Sequence, residues 1–112
     1  MRTGLGMEFY VDYGHLLPGH PKCGVAHGHT AKVVVELYGE IGRDGMIMDF
    51  KEMENKCWAI LSQIDHKNLN DLFDRPTSEN IVNWIFKELR KNLPITKVSF
   101  FEGQGKWCIA EE

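Results

Sequence analysis

The chain has 112 residues, 43% of them hydrophobic and 26% charged, and its formal net charge at pH 7 is -3. This length and balance predict one globular domain over residues 1–112, and the slight acidic excess argues against a protein that binds nucleic acid. Because no apolar run is long enough to span a membrane and the 3 cysteines are too sparse for a disulfide scaffold, we expect a cytoplasmic protein with neither signal peptide nor membrane partner.

Two strands are predicted in the N-terminal part of the chain. Residues 8–13 alternate between apolar and polar side chains, and we expect Gly14 to end this strand. Residues 30–38 alternate in the same way and form the second strand. The segment between them, HLLPGHPKCGVA, contains two prolines and two glycines, which predicts an irregular loop of the kind that often carries function.

Two helices are predicted next. Asp49 with Glu52 three residues later resembles a capping box. An apolar stripe at helical spacing follows, formed by Phe50, Met53, Cys57, Leu61 and Ile64. The segment PTSEN predicts a second helix with Thr77 or Ser78 as N-cap, and Pro94 ends it.

A hairpin is predicted at the C-terminal end, with KVSFFE as one strand, GQG as the turn and KWCIA as the other strand. The order β-β-α-α-β-β indicates an α+β fold with a four-stranded antiparallel sheet and two helices on one face. The edges of such a sheet lack partners, and closing several copies into a barrel would pair them. We therefore expect a homo-oligomer in which a site near a strand end draws on more than one chain.

The segment CGVAHGH indicates a metal site. If the second strand begins at or just before His27, period-2 geometry projects His27 and His29 from the same face, with Gly28 leaving room. His15 could add a third imidazole from the neighbouring strand, which would leave one position open on a zinc ion. The alternative is a set of surface histidines in a polar loop, but the H-G-H spacing with a third histidine nearby favours metal.

Cys23 has two interpretations. As a fourth ligand, its thiolate would close the zinc site and make it structural. Without a bond to the metal, the sulfur would lie close to a dication that lowers its pKa and makes it a base or nucleophile. The spacing alone does not choose between these roles.

Two further groups of residues are candidates for the functional site. Asp65 and His66 are adjacent, so the carboxylate could orient the imidazole and make it more basic, although the same residues are common in structural turns. Glu102 ends an apolar strand on the side shared with Val98 and Phe100, where a carboxylate is unusual. The alternative for Glu102 is an exposed residue at the GQG turn.

The chain resembles the 6-pyruvoyl-tetrahydropterin synthase and 6-carboxy-tetrahydropterin synthase family over nearly its whole length. The resemblance lies in the order and spacing of His15 and the segments CxxxHGH, GMIMDF, IDHKNLN, PTSEN and FFE. The resemblance implies the tunnelling fold, in which trimers close a barrel and two trimers stack into a homohexamer with active sites between subunits. It also implies a small-molecule pterin triphosphate, 7,8-dihydroneopterin triphosphate, as substrate.

The resemblance also implies roles for individual residues. Zinc ligands map onto His15, His27 and His29, the catalytic thiol onto Cys23, the acid-base partners onto Asp65 and His66, and the pterin contacts onto Glu102 and Thr77. Thr77 is also the candidate helix cap. His20 and Lys22 could meet the triphosphate, or could be solvated loop residues.

The short C-x-x-x-H-G-H spacing resembles the 6-carboxy branch of the family, which releases acetaldehyde and serves 7-deazapurine synthesis. Two departures from the family pattern bear on the substrate: Gly103 after Glu102, and the residues before the first histidine, which are Asp12, Tyr13 and Gly14. A bulky Tyr13 beside the metal leaves the 6-pyruvoyl reaction and aldol cleavage of dihydroneopterin as alternatives. A non-enzymatic alternative is a zinc-stabilised scaffold or binding protein with Cys23 as the fourth ligand.

Overall fold

Two long antiparallel strands form the centre of the molecule. The computed structural model describes all of residues 1–112. In chain order, the elements are β1 (Gly4–His15), β2 (His27–Tyr38), α1 (Phe50–Leu61), β3 (Lys67–Asn68), a 3-10 turn (Leu69–Asp71), α2 (Ser78–Arg90), β4 (Ile95–Gly103) and β5 (Lys106–Glu111). The strands form one sheet in the order β3-β1-β2-β4-β5. Neither α1 nor α2 has the length and apolar composition of a membrane-spanning helix.

The pairing of β1 with β2 fixes the positions of the histidines where β1 ends and β2 begins. Their register runs without a break from Gly4 opposite Tyr38 to His15 opposite His27. From Phe9 to His15 and from Ala31 to Leu37 every second side chain is buried, as the alternation in the sequence predicts. This alternation places His15, His27 and His29 on the same face of the sheet as the core residues.

The predicted α+β architecture is confirmed, but the strand count is wrong. The sheet has five strands, because Lys67–Asn68 pairs in parallel with Tyr13 and Gly14 at the edge of β1. A strand of two residues shows no alternation, so its sequence carries no pattern to detect. The barrel between subunits stays a prediction.

The predicted end of β1 at Gly14 is also wrong. The strand continues through His15, because Gly14 lies opposite Gly28 and the backbone ladder extends to the His15–His27 pair. Two facing glycines in a paired ladder place no side chains in conflict, so the strand passes through them. His15 is therefore the last residue of the strand and not the first residue after it.

Both helices pack on the core through the stripes that the sequence predicts, with two corrections. Helix α1 ends at Leu61, and Ile64 is buried in the turn after it. Phe50 is 57% exposed, because the buried stripe begins one turn later, at Met53. For α2, Thr77 is the N-cap, and its hydroxyl accepts a hydrogen bond from the Asn80 backbone N–H at 3.2 Å.

Candidate functional site

Three imidazoles meet where β1 ends and β2 begins. The strand register places His15 opposite His27, and His29 lies two residues further along the same face. The ring centroids are 4.5 Å apart for His15 and His27, 5.0 Å for His15 and His29, and 4.8 Å for His27 and His29. One nitrogen from each ring lies within 4.8 Å of the other two, close enough for a single metal ion to bind all of them.

Hydrogen bonds to backbone carbonyls orient two of these rings. The His15 Nδ1–H donates to the carbonyl oxygen of Pro76 at 2.8 Å, and the His27 Nδ1–H donates to that of Val25 at 2.7 Å. A carbonyl can only accept, so each bond places the proton on Nδ1 and leaves a lone pair on Nε2. This is the arrangement by which proteins fix a metal-binding imidazole.

The Nε2 atoms of His15 and His29 are buried and have no hydrogen-bond partner. Leaving a buried polar atom unpaired costs about 1 to 3 kcal/mol, and a metal ion would satisfy both atoms at once. Burial lowers the pKa of His29, a shift that the negative charge of Glu102 opposes and the neighbouring histidines reinforce. The neutral imidazole, which is the form that binds metal, is thereby favoured, so the residues present fit a metal ion.

Glu102 lies next to the histidines, at the end of β4. Its Oε1 is 3.7 Å from the His29 Nε2, and its Oε2 accepts a hydrogen bond of 2.7 Å from the Ser78 hydroxyl. A cavity of about 210 Å³ opens beside the carboxylate, lined in part by Ser78, Phe100 and Cys108. A carboxylate held in this way can accept two parallel N–H donors from a planar ligand.

The side chains of Asp65 and His66 are in contact in the turn after α1. The His66 Nδ1 is 3.0 Å from the Asp65 Oδ2, and the His66 Nε2 is 3.7 Å from an Asp12 carboxylate oxygen. The Asp65 carboxylate also accepts the Asp12 backbone N–H at 2.9 Å. His66 has a φ of 58°, in the left-handed region that is uncommon for a residue with a side chain. The segment is thus a turn that also presents an oriented imidazole.

An open depression of about 680 Å³ is lined by residues of both the histidine cluster and the Asp65–His66 pair. Its lining includes His27 and His29 on β2, Asp12 on β1 and the exposed ring of His66. A ligand in this depression would meet His27, His29 and His66 together. Three of the candidate residues, His27, His29 and His66, therefore line one surface, while His15 belongs to the histidine cluster and Asp65 contacts His66.

Cys23 lies in the loop between β1 and β2, where its thiol is free and half-buried. It is not one of the three side chains whose ligand atoms cluster together. The His20 Nδ1 accepts the backbone N–H groups of Cys23, at 2.9 Å, and of Lys22, at 3.1 Å. His20 therefore holds the turn that presents Cys23, a role that its position in the sequence did not indicate.

Three contributors to the site were missed by sequence reasoning. Asp12 faces His66, Ser78 holds Glu102, and Asn70 bonds the backbone of Leu16. Each of these contacts joins residues far apart in the chain, so no local spacing signals them. Thr77, predicted as a pterin contact or a helix cap, caps α2.

The chain is similar to known proteins over most of its length. The family model described as 6-pyruvoyl tetrahydropterin synthase matches residues 5–112. A protein of Archaeoglobus fulgidus, provisionally named 6-carboxy-5,6,7,8-tetrahydropterin synthase, is 39% identical over 105 residues, which are 93% of this chain and 91% of that protein. A dihydroneopterin monophosphate aldolase of Pyrococcus furiosus is 41% identical over 81 residues, which are 69% of this chain and 70% of the aldolase.

The fold is shared with a solved structure. The 6-pyruvoyl tetrahydropterin synthase of Caenorhabditis elegans superposes with a TM-score of 0.91 at 22% sequence identity, covering 100% of this chain and 96% of that one. At this identity the likeness shows the architecture alone, which is the one that the resemblance implied. Together with the family model and the A. fulgidus relative, it leads to one conclusion. The chain belongs to the 6-pyruvoyl tetrahydropterin synthase family.

Proposed function

We propose that this protein binds zinc through His15, His27 and His29 and converts 7,8-dihydroneopterin triphosphate and water to 6-carboxy-5,6,7,8-tetrahydropterin, triphosphate and acetaldehyde. One observation carries the proposal. In the three-histidine cluster the Nε2 atoms of His15 and His29 are buried without partners, and a Glu102 carboxylate oxygen lies 3.7 Å from the Nε2 of His29. The name of the A. fulgidus relative and the short C-x-x-x-H-G-H spacing support the 6-carboxy product.

The histidine cluster would hold the metal with a position open for substrate, because the cluster supplies three nitrogens and Cys23 lies outside it. Bound zinc would polarise the side-chain hydroxyls of the substrate and acidify the neighbouring carbon-bound hydrogen. The carbonyl oxygens of Pro76 and Val25 keep the rings of His15 and His27 in the orientation that this site needs.

Glu102 would anchor the pterin ring. Its carboxylate accepts the amino and amide N–H groups of the ring as a bidentate pair, and Ser78 limits its rotation. Because Glu102 is adjacent to His29, a ring bound there directs its side chain toward the histidine cluster. This placement would bring the reacting carbon of the substrate toward the three histidines that would hold the metal.

Cys23 and the Asp65–His66 pair would move the protons. Cys23 forms no disulfide, and its thiolate would be the base that removes the acidified hydrogen. His66, oriented by Asp65 at 3.0 Å and 75% exposed, relays protons to and from the isomerising side chain. Thr77 contributes by starting α2 and so placing Ser78 against Glu102.

The proposed assembly is the homohexamer that the resemblance implies. Support comes from β5, an outer strand that exposes Trp107 and Ile109, at 52% and 46%. Apolar side chains on an open strand edge favour pairing with another copy of the chain. Light scattering coupled to size-exclusion chromatography would measure the mass of the assembly, and a monomer would contradict this part of the proposal.

Product analysis tests the reaction. The zinc-loaded protein is incubated with 7,8-dihydroneopterin triphosphate, and the pterin and two-carbon products are identified by mass spectrometry. We expect 6-carboxytetrahydropterin and acetaldehyde, with Cys23→Ala as a matched control that keeps its zinc but forms no product. A 6-pyruvoyl product would assign the chain to the other branch, and absence of any pterin product would overturn the proposal.

A second candidate function is aldol cleavage of a dihydroneopterin. The observation that favours it is the P. furiosus relative, which is named dihydroneopterin monophosphate aldolase. Cleavage of the side-chain carbon-carbon bond would release glycolaldehyde or its phosphate, and not acetaldehyde. The same mass spectra therefore distinguish the two activities, and dihydroneopterin monophosphate is the second substrate to supply.

A further inference from the structure

Tyr13 places an unpaired hydroxyl in the middle of the candidate site. The side chain of Tyr13 is only 4% exposed, and its hydroxyl has no hydrogen-bond partner in the chain. Three buried side-chain atoms lack partners, and the other two are the Nε2 atoms of His15 and His29. Those two are accounted for by the proposed zinc site, whereas a phenol is not a ligand that such a site needs.

Neighbouring rings fix the position of Tyr13. Its ring packs edge-on against His15, with centroids 5.2 Å apart, and lies 5.6 Å from His29 and 5.9 Å from Phe100. The hydroxyl therefore cannot turn away to solvent without disturbing the core. An unpaired hydroxyl in so fixed a position indicates a partner that comes from outside the chain.

The position of Tyr13 lies between the two parts of the site. Tyr13 lines the depression at the histidine cluster, and it packs on Phe100, which lines the cavity beside Glu102. The Glu102 carboxylate lies near the Tyr13 hydroxyl but outside hydrogen-bond geometry, so the phenol O–H remains a donor without an acceptor in the chain. A ligand that joined Glu102 to the histidines would pass this donor.

We propose that the Tyr13 hydroxyl is a specificity-determining contact that hydrogen-bonds a hydroxyl on the side chain of a bound pterin. This inference rests on the proposed function, because the pterin held by Glu102 supplies the side chain that crosses Tyr13. Tyr13 then selects pterins whose side chain carries hydroxyl groups over those with a plain alkyl group. Sites that hydrogen-bond a ligand hydroxyl reject analogues that lack it, because the protein group is then left unpaired.

Binding of two fluorescent pterins tests the inference. Neopterin has a hydroxylated side chain and 6-methylpterin does not, and both are titrated into the zinc-loaded wild type and Tyr13→Phe proteins. We expect Tyr13→Phe to weaken neopterin binding about tenfold, the loss of one hydrogen bond to a ligand hydroxyl, and to change 6-methylpterin binding less than about twofold. Tyr10→Phe, on the same strand but 59% exposed, is the matched control and should change neither.

Thermal unfolding without pterin gives a readout that does not depend on ligand. Because Tyr13→Phe removes an unpaired buried hydroxyl and keeps the ring, we expect its melting temperature to equal or exceed that of the wild type. A lower melting temperature would mean that the hydroxyl is already paired within the protein, and would overturn the inference.

The binding outcomes separate this inference from the proposed function. If the wild type binds neopterin and Tyr13→Phe binds it equally well, the role of Tyr13 is wrong while the pterin site stands. If Tyr13→Phe weakened the binding of both pterins equally, the inference would also be overturned. Tyr13 would then act on the pterin ring and not on the side chain of the pterin. If the wild type binds neither pterin, the proposed function fails and the role of Tyr13 fails with it.

Discussion

The side chain of Asn70 makes two hydrogen bonds to the backbone of Leu16. Its Oδ1 accepts the Leu16 N–H at 2.8 Å, and its Nδ2 donates to the Leu16 carbonyl oxygen at 3.0 Å. Leu16 directly follows His15, so this pair sets the direction in which the chain leaves β1 for the Cys23 loop. The segment that carries Asp65 and His66 thus also anchors the loop that carries the thiol.

Replacing Asn70 should loosen this anchor. We expect Asn70→Ala to lower the free energy of unfolding by about 1 to 3 kcal/mol, because both Leu16 backbone groups lose their partner in a part-buried place. Urea denaturation measures the change. Asn83→Ala, an exposed position on α2, is the control and should leave stability nearly unchanged. Equal stability of the two variants would show that the two bonds contribute nothing.

Metal removal should destabilise the protein. Chelation leaves the Nε2 atoms of His15 and His29 buried and unpaired, so we expect a lower melting temperature that added zinc restores. Single substitutions of His15, His27 or His29 by Ala should lower the bound zinc measured by atomic absorption. His20→Ala, outside the cluster, is the matched control and should keep its zinc.

Cobalt substitution separates the open site from a closed scaffold. With three nitrogen ligands and Cys23 outside the cluster, we expect a Co²⁺ spectrum without a strong thiolate charge-transfer band. Cys23→Ala should leave the spectrum and the metal content unchanged. A strong band that disappears in Cys23→Ala would instead favour the scaffold with sulfur as fourth ligand.

The metal-free protein should lose stability in acid. Burial lowers the pKa of His29 from 6.5, so between the lowered pKa of the folded chain and about 6.5 the unfolded chain binds a proton that the folded chain does not. The free energy of unfolding therefore rises with pH up to about 6.5 and is flat above it with respect to this group. Urea denaturation across this range gives the slope. His29→Gln should reduce the slope, and an unchanged slope in that variant would contradict the assignment.

Thr77 can be tested as a cap. Thr77→Ala removes the oxygen that accepts the Asn80 N–H, and we expect a loss of about 1 kcal/mol in the free energy of unfolding. Thr77→Ser keeps that oxygen and should retain nearly full stability, as urea denaturation would show. If Thr77→Ala is as stable as wild type while its neopterin binding weakens, the residue acts on the pterin and not on the helix.

The amino-acid sequence by itself determined most of the secondary structure and the composition of the histidine cluster. The alternation in β1 and β2 and the helical stripes are local patterns with periods of two and 3.6 residues, and the core faces follow from them. His27 and His29 share a face for the same reason, since they are two residues apart in one strand. The motifs in order along the chain also indicated the family, which the comparisons confirm.

Only the tertiary structure decided which distant groups meet. The His15 ring is oriented by the carbonyl of Pro76, which is 61 residues away, and Asp65 reaches Asp12 across 53 residues. Such contacts depend on strand register and on where the turn after α1 docks, and neither is encoded in local periodicity. The unpaired hydroxyl of Tyr13 is of the same kind, because burial and lack of a partner are properties of the assembled fold and not of a tyrosine in a strand.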